Sequence, residues 1–145
     1  MQNISLQNTP KQSGLSILEL LVVAALIIFA LSIVASSLTG LRAKTRDTTR
    51  MTDLGEITKA LNTYYADKQL FPIFPAKTVV TGEDELSKVL KKADIIKTVP
   101  ADPLHPQYSY AYQSNGSGST YSLSFCLETE NIQGYAKGCG HEMKP

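Results

Sequence analysis

LSILELLVVAALIIFALSIVASSL, residues 15–38, decides how this chain is read. From Leu20 to Leu38 it carries no charged side chain, and a helix of that length is expected to cross a hydrocarbon core, which takes about 20 mostly apolar residues. Glu19 stands at the threshold of the run with no Lys or Arg beside it. A charge in or near a bilayer core costs roughly 2.5–3.5 kcal/mol even on the lenient insertion scales, so the acid needs a reason.

Around this segment the bulk numbers are ordinary. At 145 residues the chain has room for one domain beside the apolar run, and its formal net charge of +1 implies no general attraction to nucleic acid or anionic lipid. The charge is unevenly placed: RAKTRDTTR packs Arg42, Lys44, Arg46 and Arg50 around Asp47 directly after the apolar run. Those four against Lys11 alone before the run would place the C-terminal part in the cytoplasm by the positive-inside rule. Cys126 and Cys139 point the other way, because a cysteine pair late in a small domain suggests one disulfide in a non-cytosolic compartment. Such a loop stabilises by about 3 kcal/mol in the chain-entropy model. Free thiols remain the second reading, and a metal site with His141 the third, at a spacing that matches no standard metal motif.

The apolar run itself has three readings. A plain signal anchor is the simplest. A secretory signal is chemically conceivable, with cleavage after Ser37 in Ala35-Ser36-Ser37, although the run exceeds the usual 7–15 apolar residues. Neither gives Glu19 a purpose. The third rests on Gly14-Leu15-Ser16-Ile17-Leu18-Glu19 followed by the unbroken apolar stretch, which resembles the class III signal of type IV pilins and type II secretion pseudopilins. The resemblance implies cleavage by a prepilin peptidase between Gly14 and Leu15, N-methylation of Leu15, and retention of the apolar segment as filament core. Glu19 is then the subunit-assembly residue, its carboxylate meeting the amino terminus of a neighbouring copy. Removing one partner of a buried pair costs about 3–5 kcal/mol, so such a pair works as a register device.

Beyond the basic cluster, Met51, Leu54, Ile57, Leu61, Tyr64 and Tyr65 recur at steps of three and four, one face of a helix. Gly55 weakens that helix by roughly 1 kcal/mol, and Pro72 and Pro75 end it. The ending ALNTYYADKQLFP is similar to the end of this helix in pseudopilin-like proteins. EDELSKVLKKAD, residues 83–94, predicts a short helix with an acidic start, a basic end, Thr81 as N-cap and a stripe of Leu86, Val89 and Leu90. In TVPADPLHPQYSYAYQ the prolines force extended backbone around Asp102. Tyr108, Tyr110 and Tyr112 then alternate as a strand, as do Tyr121, Leu123, Phe125 and Leu127, which puts Cys126 on the opposite face. A third short strand is expected around Gly134–Lys137, bringing Cys139 back to Cys126. The "V-P-x-D-P" and "Y-x-Y" pattern also resembles the entrance to the sheet in pseudopilin-like heads.

The expected fold class is therefore α+β: a long N-terminal helix, its first half membrane-spanning and its second amphipathic, packed on a small antiparallel β-sheet head with a short extra helix. The expected organisation is a cleaved leader at 1–14, a transmembrane and filament-core helix at 15–38, its amphipathic continuation at 39–70 and the head at 71–145. No nucleophile, phosphate-loop or metal motif is present, so no enzyme, cofactor or metal is expected. Glu128, Glu130 and Asn131 fall where some pseudopilins bind calcium, without the regularly spaced oxygen ligands of such a loop. Lys88, Lys91 and Lys92 lack the interleaved aromatics of a nucleic-acid site.

The resemblance implies a structural subunit, pilin or pseudopilin. Its partners would be itself and related pilins, the prepilin peptidase, an inner-membrane assembly platform, and membrane lipid before assembly. The precursor would sit in the cytoplasmic membrane with its head outside, then join a surface or periplasmic filament. The alternative is a monomeric binding domain, anchored or secreted.

Overall fold

The computed structural model describes residues 16–145, the side chains of residues 34–38 excepted. In chain order the elements are α1 (Ile17–Lys68), β1 (Thr78–Val80), α2 (Glu85–Lys92), β2 (Tyr110–Ser114), β3 (Tyr121–Leu127) and β4 (Gly138–Met143). The chain divides into two compact units, one up to Thr39 and one from Gly40 to Pro145.

In the first unit α1 presents apolar side chains to solvent, from 46% exposed at Val23 to 80% at Ile17. Here the expected membrane-spanning half is corrected. Among the described residues, no helix is long and apolar enough to cross a membrane.

The second unit is a helix-on-sheet layer. Leu54, Ile57, Ala60 and Leu61 of α1 are buried, with Met51 and Tyr64 packed at the margin of the same core. Their recurrence at steps of three and four is the apolar stripe that the sequence pattern requires. Tyr65 departs from it: the ring is 39% exposed and stacks on Phe71 at 4.7 Å. The helix stops before the prolines, at Gln69, whose φ of 59° turns the chain into the left-handed region while its N–H still bonds to Tyr65 O.

Opposite α1 lies a four-stranded antiparallel sheet in the order β1-β2-β3-β4. Strict alternation in β3 buries Tyr121, Leu123, Phe125 and Leu127 on one face, and Tyr110 and Tyr112 of β2 join them. Tyr108 lies outside the strand, which starts at Tyr110. The last strand is Gly138–Met143, four residues later than the expected Gly134–Lys137, and β1 was not expected at all. Cys126 pairs across the ladder with Cys139, and the two form a disulfide.

α2 is shorter than its charge pattern predicts. Its N-cap is Asp84, not Thr81: one carboxylate oxygen accepts from Ser87 N, the other from Thr81 N, Gly82 N and the Ser87 hydroxyl. These bonds hold the Asp84 carboxyl below its ordinary pKa against the upward pull of burial. Leu86 and Leu90 are buried as expected, but Ser87 takes the fully buried position beside them while Val89 is only half-buried.

Candidate functional site

The densest polar arrangement lies where α1 meets the ends of two loops. Arg46, Asp47 and Arg50 sit three and four positions apart, so one face of α1 carries all three. Asp102 arrives from the proline-bracketed segment, where Pro100 and Pro103 keep its backbone extended. Glu128 arrives from the residue directly after β3.

Arg50 is fully buried and spends its guanidinium on three carboxylates. Nε and Nη2 donate to Asp102 Oδ2 and Oδ1 at 2.8 and 3.0 Å, a bidentate pair. Nη1 donates to Asp47 Oδ1 at 2.8 Å and Glu128 Oε1 at 2.6 Å. The Tyr108 ring covers the guanidinium, 5.1 Å from its centroid. Arg46 adds a second fork onto both Glu128 oxygens. The buried Asp47 accepts from Glu128 N, Thr129 N and the Thr129 hydroxyl at 2.7–2.9 Å.

The protonation states follow from these partners. The Arg46 fork, then Arg50, holds Glu128 down at about 2 despite burial. Burial alone would raise Asp47, but the donors from Thr129, Glu128 and Arg50 outweigh it and hold the group low. Burial opposes the charge on Arg50 too, and its three carboxylates more than restore it. Asp47 and Glu128 are thus held ionised and the Arg46 and Arg50 guanidinium groups charged, so the arrangement is one of matched charges. Its chemistry is that of a clamp, which joins three segments distant in sequence. Beside it, Tyr110 donates to Asp53 at 2.8 Å, and burial raises both groups.

Reading RAKTRDTTR as a basic flank missed this clamp. Two of its four cations, Arg46 and Arg50, are neutralised by the head itself. The i, i+3 and i, i+4 spacing of Arg46, Asp47 and Arg50 was the available signal. Glu128 takes part here and not in a calcium loop, since Arg46 and Arg50 occupy its oxygens. Among the described residues, no cluster of His, Cys, Asp or Glu could hold a metal ion. His105 and His141 stay apart from the clamp: the first contacts Ser109, and the second pairs with Ala136 O and the Phe125 and Tyr135 rings.

Of the residues that the sequence motif singles out, Gly14 and Leu15 lie outside the described residues. Glu19 is exposed in the first turn of α1, where a carboxylate is favoured by the helix N-terminus by about 0.3–1 kcal/mol. Cys126 and Cys139 are joined as a disulfide. No family model matches the chain, and neither a curated protein nor a solved structure does so.

Proposed function

We propose that this chain is a structural subunit of a type IV filament, a pilin or pseudopilin, cut by a prepilin peptidase after Gly14 and methylated on Leu15. It assembles through the apolar first part of α1, against copies of itself and related subunits, on an assembly platform in the inner membrane. The observation that carries this reading is the exposure of nearly every apolar side chain from Ile17 to Ile33, with Glu19 as the lone acid beside them. Large contiguous apolar surfaces on a protein mark interaction sites. A row of identical helices covers such a surface, and Glu19 of one copy then has the amino terminus of another as its counter-ion. The head needs no catalytic group for this work, and a saturated ionic clamp suits a part that has to hold its shape.

Electron microscopy of sheared cell-surface material, with mass spectrometry of the main protein's amino terminus, tests the reading. Filaments built of a chain that begins at methylated Leu15 are the expected result. A soluble monomer beginning near Leu38, or an uncut chain from Met1, overturns it.

A further inference from the structure

Two shallow cavities of about 300 and 280 Å³ lie on one flank of α1. Glu56, Lys59, Ala60 and Thr63 line the first on the α1 side, Tyr64 and Lys68 the second. These positions follow one another at helical spacing, so the cavities form successive parts of one groove. The facing wall comes from the C-terminal half of α2 and the turn after it, where Val89 and Lys92 border one cavity and Ile95 and Ile96 the other. The lining mixes Ala60, Ile95, Ile96 and Val89 with three ammonium groups, Lys59, Lys68 and Lys92, against one carboxylate, Glu56. Among the described residues, Lys59 and Lys92 are in no ion pair. At the opposite end of α2, the side chains of Glu83 and Glu85 are 83% and 71% exposed. The Glu85–Lys88 pair is a surface pair worth about 0–1 kcal/mol, while Lys91, which pairs with Glu83, is half-buried and also donates to Gly82 O.

We infer that this groove is the seat for a second copy of the chain, whose Glu83–Glu85 corner docks between Lys59 and Lys92. The inference rests on the filament reading and deepens it by naming a contact between heads. Charge complementarity selects the occupant: the groove is basic on balance, three lysines to one glutamate, and two highly exposed acids of the chain stand at the far end of the same helix. An eight-residue helix separates the two patches by about 12 Å. A copy that offers its acidic corner to one neighbour therefore keeps its basic groove for another. Such a head-to-tail contact is heterologous, and it propagates as an open polymer where the rotation between copies does not close a ring.

Cysteine cross-linking of the full-length chain tests this directly. Glu85→Cys and Lys92→Cys in one chain stand about 10 Å apart along α2, too far to bridge each other. Mild oxidation without reductant should give a ladder of cross-linked species, and either single variant should give dimers at most. In parallel, Glu83→Lys with Glu85→Lys should lower filament yield at least tenfold, as should Lys59→Glu with Lys92→Glu. All four changes together should restore the yield to within about threefold of the unmodified chain. Circular dichroism melts of these surface variants should be unchanged, which separates docking from folding. Filaments of the unmodified chain with no ladder, a ladder that stops at dimers, or four changes as damaging as two would overturn the head contact and leave the filament reading standing. No polymer and no cross-link from any variant would overturn both.

Discussion

Arg50 and Asp102 lie 52 positions apart in sequence and meet through two parallel hydrogen bonds in a fully buried setting. Either group alone would be a poor choice for a protein interior, since an unpaired buried charge is far more costly than the pair. Arg50→Met should therefore lower stability by about 3–5 kcal/mol, chiefly by leaving the buried Asp102 carboxylate without its counter-charge. Arg50→Lys keeps the charge but loses the fork, and should fall between Met and the native residue. Urea unfolding of the full chain measures both, with the exposed Arg42→Met as a control expected within about 0.5 kcal/mol of native.

Acid should loosen the same junction. Glu128 titrates at about 2 in the fold against an ordinary 4.5, and Asp47 is depressed in the same direction. A depressed carboxyl stabilises fully above its unfolded value, and that contribution disappears as the pH falls through the folded one. Asp53 acts oppositely, because its raised pKa means that protonation favours the fold. The net expectation is a urea midpoint that declines from about pH 4.5 down to 2. In Glu128→Gln the decline should be shallower. An identical slope in that variant would sink the assignment to Glu128.

The cross-strand disulfide yields a simple chemical test. Neither Cys126 nor Cys139 should react with a thiol probe in the native protein without reductant. Replacing both by Ala should lower stability by about 2–4 kcal/mol, with hydrogen exchange rising first in β4, an edge strand of the sheet.

Gly118 should resist substitution. Its φ is +67°, and a Cβ there would come within 2.7 Å of Phe71 O, to whose residue Gly118 O is already bonded through the Phe71 N–H. Gly118→Ala is expected to cost about 1–3 kcal/mol. Gly116→Ala in the same turn meets open space and should cost less than Gly118→Ala. Thermal melts of the pair decide it, and equal losses would contradict the close approach.

Local periodicity made the core elements legible. Leu54, Ile57 and Leu61 reveal their helix face because the spacing repeats over several turns, and Tyr121–Leu127 reveals its strand by unbroken alternation. β1 was invisible because three residues carry no period, and only the pairing of Thr78 with Tyr112 defines it. β4 was displaced in the reading because Gly138 and Gly140, both at positive φ, interrupt any alternation. The clamp was hidden for a different reason. Arg50 advertises a charge, but the carboxylates that bury it come from positions 102 and 128, and no local pattern points that far. Nor did the uncharged run at Leu20–Leu38 by itself fix its surroundings, since apolar residues look alike to lipid and to a neighbouring helix.

The wide separation of the clamp residues also sets a timetable for biosynthesis. Glu128 follows Arg50 by 78 positions, so at 5–20 residues per second the ribosome needs roughly 4–16 s to supply it. Through that interval Arg50 has Asp47 on its own helix and later Asp102, but lacks the third carboxylate. The clamp closes only when residue 128 has been made, and a nascent chain stalled before it leaves Arg46 and Arg50 without the carboxylate they share.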